Sequence, residues 1–81
     1  MTIFRADGFE VVIYFNDHRP AHVHVLKAEC EAIFNLNCPK GPPTVRENYG
    51  FSPTALNKIE DILTEKLQEF CERWRMIDGQ A

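Results

Sequence analysis

The sequence predicts a small α+β fold: a mainly antiparallel sheet of three to four strands, packed on one face by a C-terminal amphipathic helix. Three observations carry this expectation. Within residues 3–36, apolar and polar residues alternate in short runs, the pattern of half-buried strands. The runs are joined by connections too short for parallel crossovers, so the pairing has to be antiparallel. Beyond residue 52 the apolar spacing lengthens to three or four, the repeat of one helix face. The 81 residues read as a single domain, and an apolar content of 44% argues for a folded globule rather than a disordered chain.

Each element has its own warrant. Ile3 to Arg5 reads as a short edge strand, closed by the turn pair Asp7-Gly8. Phe9 to Phe15 alternates, with Phe9, Val11, Ile13 and Phe15 facing the core and Glu10, Val12 and Tyr14 facing away. Asn16 to Pro20 is a polar turn, because Pro20 lacks an N–H and cannot continue a ladder. In the strand His22 to Lys27, Val23 and Val25 take one face and His22, His24 and Leu26 the other. Cys30 to Leu36 sets Cys30, Ala32, Phe34 and Leu36 opposite Glu31, Ile33 and Asn35. Residues 38–50 read as a loop, since three prolines and a glycine fall between Cys38 and Pro43.

The helix is expected over 53–77. Ser52 is a good N-cap and Pro53 suits the first helical position. Leu56, Ile59, Leu63, Leu67, Phe70 and Trp74 form the buried stripe, and a break near Thr64 would divide the helix in two. Glu69 and Arg73 are spaced for an i,i+4 pair, Arg73 and Arg75 suit the negative end of the helix dipole, and Gly79 is a stop signal.

The chemistry concentrates in Asn16-Asp17-His18-Arg19-Pro20-Ala21-His22-Val23-His24-Val25, which holds all three histidines of the chain. His22 and His24, two apart on a strand, stand side by side on the sheet face that the helix leaves open. That face also carries Glu10, Val12, Tyr14, Glu31 and Ile33. An imidazole beside a carboxylate is a working general base, and a second imidazole can act as the acid. The candidate catalytic residues are therefore His22 and His24, with Asp17 and His18 orienting them. Arg19, Tyr14, Lys27 and Glu31 are the candidate substrate-binding residues, with Arg19 or Lys27 holding a phosphate. Such a set suffices for a metal-independent ribonuclease, in which a base activates the ribose 2′-hydroxyl and an acid protonates the leaving oxygen. Two plainer readings use the same residues. His22 and His24, with His18 or Asp17, have the donors for a metal ion, although His-x-His alone is a weak signal. Alternatively the histidines satisfy backbone groups and pin the turn.

The remaining composition bounds the partners. A net charge of −3 argues against a broad grip on nucleic acid but leaves room for a small RNA site with local positive charge. No apolar run reaches the length needed to cross a bilayer, so no membrane is expected. Met1-Thr2-Ile3-Phe4 runs straight into charged residues, unlike a signal peptide. Three cysteines, Cys30, Cys38 and Cys71, with no C-x-x-C pair, read as free thiols in a reduced cytoplasmic protein. No cofactor is implied.

The run from Asn16 to Val25 resembles N-D-H-x-P-x-H-V-H-V, the hallmark of a family of small bacterial proteins known as domain of unknown function 4160. The resemblance extends over nearly the whole chain: an aromatic strand before the hallmark, an acidic-apolar strand after it, and Gly50-Phe51-Ser52 opening the helix that ends near Trp74. It marks Asn16, Asp17, His18, Pro20, His22 and His24 as important positions but supplies no catalytic mechanism. It implies a toxin-like component of a two-gene toxin–antitoxin module, acting on RNA or translation, with a small cognate partner protein. From a different class, the open sheet face would serve a non-catalytic interaction module or a homodimer. A small metal-binding domain is the third expectation.

Overall fold

A computed structural model describes residues 1–15 and 18–78. Five strands and two helices follow one another in the order β1 (Thr2–Ala6), β2 (Phe9–Val12), β3 (His22–Lys27), β4 (Cys30–Asn35), β5 (Thr44–Tyr49), α1 (Pro53–Glu65) and α2 (Leu67–Asp78). The strands form one antiparallel meander in chain order. The α+β class holds, with one more strand than the sequence predicts.

The extra strand, β5, lies inside the segment read as a loop. All six of its residues are exposed. An edge strand that buries nothing has no need of alternation, and Thr-Val-Arg-Glu-Asn-Tyr shows none. The proline-rich stretch ahead of it is itself ordered: the Asn37 side-chain amide donates to the Pro42 carbonyl at 2.8 Å and to the Thr44 hydroxyl at 3.1 Å. After β5, Asn48 and Phe51 exchange hydrogen bonds at 2.9 and 3.0 Å, which fixes the turn into α1.

Asp7 and Gly8 both adopt positive φ, 53° and 81°, as a two-residue hairpin turn of type I′ requires. β2 stops at Val12, earlier than the alternation suggests. Ile13 stays in the core, whereas Phe15 is 71% exposed and does not join it. Its apolar character continues the pattern, but the chain has already left the sheet.

Ser52 caps α1 by accepting the Ala55 N–H at 3.1 Å, with Pro53 in the first turn. The helix breaks at Lys66, two residues past Thr64, whose hydroxyl donates to the Glu60 carbonyl at 2.8 Å. Such back-bonding bends helices. Ile59 and Leu63 from α1 and Leu67, Phe70 and Trp74 from α2 pack with Val11, Val23, Val25, Phe34 and Leu36 of the sheet region. Leu56 is only partly buried at the margin of this core. Arg73 contacts Met1 Sδ rather than making its expected pair with Glu69, and the ion pair on α2 is Arg75–Glu72.

The cysteine expectation is corrected. Cys38 and Cys71 form a disulfide that ties the proline-rich segment to α2, and Cys30 alone is a free thiol. Among the described residues, no helix is long and apolar enough to cross a membrane.

Candidate functional site on the histidine strand

β3 is the central strand, paired with β2 on one side and β4 on the other. Its period of two places His22, His24 and Leu26 on the face opposite the helix-packed Val23 and Val25. The two imidazoles are neighbours, with ring centroids 5.4 Å apart. Their surroundings differ sharply.

His22 is buried at 5% exposure. Its Nδ1 lies 2.9 Å from the Pro20 carbonyl oxygen, and its ring is 6.5 Å from that of Trp74. A carbonyl only accepts, so Nδ1 carries the proton and the neutral ring has its lone pair on Nε2. The expectation that both rings stand in solvent is therefore overturned for His22. The periodicity specifies its face, but α2 brings Trp74 against it at the end of the sheet.

His24 is more open, with its side chain 13% exposed. Its Nδ1 is 3.2 Å from Glu31 Oε2. Register pairs His24 with Ile33 and Leu26 with Glu31, so the carboxylate reaches the ring diagonally across the β3–β4 pair. Tyr14 sets its ring edge-on at 4.6 Å and is 45% exposed. With the carboxylate accepting from Nδ1, Nε2 is the ring nitrogen left for a second partner. A carboxylate–imidazole pair next to a phenol has the makings of acid–base chemistry.

The other sequence-predicted residues are distributed as follows. Glu31 and Tyr14 converge on His24. Lys27 does not: it shares the parity of Val23 and Val25, and its ammonium lies 4.6 Å over the Phe9 ring at the far end of the strand. Glu10 is taken up by Thr2 and by Arg5, the latter at 3.5 Å. His18 is exposed, and no contact among the described residues joins it to His22 or His24. Asp17, proposed as an orienting residue, lies outside the described residues, as does Asn16. Among the described residues, no three His, Cys, Asp or Glu side chains cluster as a metal would need.

Arg19 leads elsewhere. It lines an open cavity of about 560 Å³ between the segment preceding β3 and α2, together with Trp74, Arg75, Glu72 and the Cys38–Cys71 disulfide. The helical spacing assigns Trp74 to the buried stripe and gives no sign of this cavity. Its walls come from residues 19–21, 38–39 and 68–75, and no local pattern signals that they meet. At the other end of the open face, Tyr49 on β5 donates to Glu47. That hydrogen bond, more than the carboxylate's charge, raises the phenol's pKa, and Glu31 adds a smaller repulsion.

No curated protein and no solved structure matches the chain significantly. Strands β2 to β5, the paired imidazoles and most of the two helices lie within residues 8–75, where the sequence matches the family model described as Domain of unknown function (DUF4160), and the chain belongs to that family.

Proposed function

We propose that the chain is the toxin-like member of a bacterial toxin–antitoxin module, acts in the cytoplasm, and cleaves RNA without a metal at His24. The observation that supports this most is the 3.2 Å contact between His24 Nδ1 and Glu31 Oε2 on a face that remains partly open. His24 Nε2 is buried in this conformation, so in this scheme the ring first swings outward, and its Nε2 then takes the proton of a ribose 2′-hydroxyl. The freed oxygen attacks the adjacent phosphorus, the bond from phosphorus to the leaving oxygen breaks, and Tyr14 protonates that oxygen. Glu31 accepts from Nδ1 and so holds the His24 tautomer and ring orientation. His22 positions the strand end through the Pro20 carbonyl rather than reacting. A small cognate partner protein covers the open face when the module is silent.

Induced expression tests this. Wild type arrests growth with loss of intact RNA, and His24→Ala, folded to the same melting temperature within a few degrees, does not. A harmless wild type, or an unimpaired His24→Ala, overturns it.

A second reading, a non-catalytic interaction module, draws on β5. Every residue of this edge strand is exposed, including Val45 at 45% and Tyr49 at 57%. Such an edge accepts a strand from a partner or a second copy. It takes precedence if the chain forms a stable complex and leaves RNA untouched.

A further inference from the structure

We propose that the cavity between Arg19 and Arg75 is a nucleotide subsite that seats the residue of an RNA chain adjoining the one held at His24. The proposal rests on the ribonuclease reading for its biological ligand, but the site stands on its own geometry. Its volume of about 560 Å³ falls within the range of small-ligand sites. Two arginines line it from different elements, Arg19 from the segment before β3 and Arg75 from α2. In a chain of net charge −3, with nine Lys and Arg against twelve Asp and Glu, this local pairing of cations is suited to a phosphate. Arg75 is held by Glu72 at 2.6 Å. One carboxylate contact does not exhaust five guanidinium donors, and it fixes the group in place. Glu72, also in the wall, can accept from ribose hydroxyls.

Trp74 supplies the remaining chemistry. It is 5% exposed, lines the cavity, and among the described residues its indole N–H is buried with no hydrogen-bond partner. Buried donors are nearly always paired, so an unpaired one on a residue that lines a cavity is a candidate to meet an acceptor when the wall adjusts to a ligand. A base carbonyl or a phosphate oxygen provides it, and the indole offers a stacking edge of the kind that RNA sites use. Position favours the same ligand. Trp74 touches His22 and His22 touches His24, so the cavity is two ring contacts from the proposed reacting base.

Trp74 is the single tryptophan, so its indole N–H gives one assignable signal in a proton–nitrogen NMR spectrum. Titration of the purified chain with the four ribonucleoside monophosphates is expected to move that signal saturably, and Arg75→Ala to weaken binding roughly tenfold while Arg75→Lys keeps part of it. Inorganic phosphate is expected to bind far more weakly than the nucleotides. No movement at millimolar nucleotide, movement indifferent to Arg75→Ala in a folded variant, or equal movement with inorganic phosphate overturns the subsite. Saturable nucleotide binding with RNA left intact keeps the subsite and removes the ribonuclease reading. RNA cleavage without nucleotide binding does the reverse.

Discussion

The two ends of one histidine pair are built differently. His22, under Trp74 and bonded to a backbone carbonyl, belongs to the packed structure. His24, only two residues on, is bonded to a carboxylate, faced by an exposed phenol and 13% exposed as a side chain, although its Nε2 is itself buried. Identical side chains on the same face thus have opposite surroundings, because Trp74 of α2 lies against the ring of His22 while Glu31 and Tyr14 face that of His24. Periodicity assigns a face; depth is set by what crosses it.

The difference makes a graded set of expectations. Trp74→Ala removes the cover of the His22 end and is expected to destabilise by about 3–5 kcal/mol, measured by urea unfolding. If it costs no more than a surface substitution, Trp74 does not seal that end. Opening the disulfide, by Cys38→Ser with Cys71→Ser, is expected to cost about 3.7 kcal/mol through the chain entropy of the 33-residue separation. Mass spectrometry without reductant, showing one free thiol and one bridge, checks the bond itself. Because cytoplasmic thiols are kept reduced, the stability of this double variant also says how much the chain loses in that compartment.

His22→Ala strips a buried side chain and its hydrogen bond, for an expected loss of about 2 kcal/mol, again from denaturant midpoints. His24→Ala, with its solvent-side carboxylate partner, is expected to lose about 1 kcal/mol or less, while abolishing any RNA cleavage. Equal destabilisation by the two would erase the distinction between the ends. The smallest effect concerns Tyr49. Its raised pKa means that the folded chain holds the phenolic proton more tightly than the unfolded chain does. That contribution is present below the ordinary phenol pKa and is lost as pH rises through the raised folded value. Glu47→Gln is expected to bring the phenolate absorbance transition back down, and Glu31→Gln to lower it less.

Much of this was legible in the residues themselves. The alternation in β2, β3 and β4, the Asp7-Gly8 turn, the Ser52 cap and the apolar stripe of the helices all follow from local rules, including a helix break close to Thr64. The contact of Glu31 with His24 follows from strand parity; Tyr14 reaches the same ring from beyond the end of β2. The misses have physical causes. β5 carries only Val45 and Tyr49 as large hydrophobics, both exposed, because an edge that buries nothing needs no alternation. Phe15 continues an alternation that the backbone abandons after Val12. Lys27 was grouped with the histidines although its odd spacing from both puts it on the other face. The Cys38–Cys71 bond and the cavity beside it depend on the meeting of a proline-rich segment and a helix 33 residues apart, which no spacing rule specifies.

Whether the open end reacts while the covered end only supports is settled most directly with purified protein, a defined oligoribonucleotide and excess chelator. The wild-type chain should release a product ending in a 2′,3′-cyclic phosphate, and His24→Ala should release none while His22→Gln, if folded, retains cleavage. An inert wild type, or cleavage undiminished in His24→Ala, would contradict the assignment of His24 as the base.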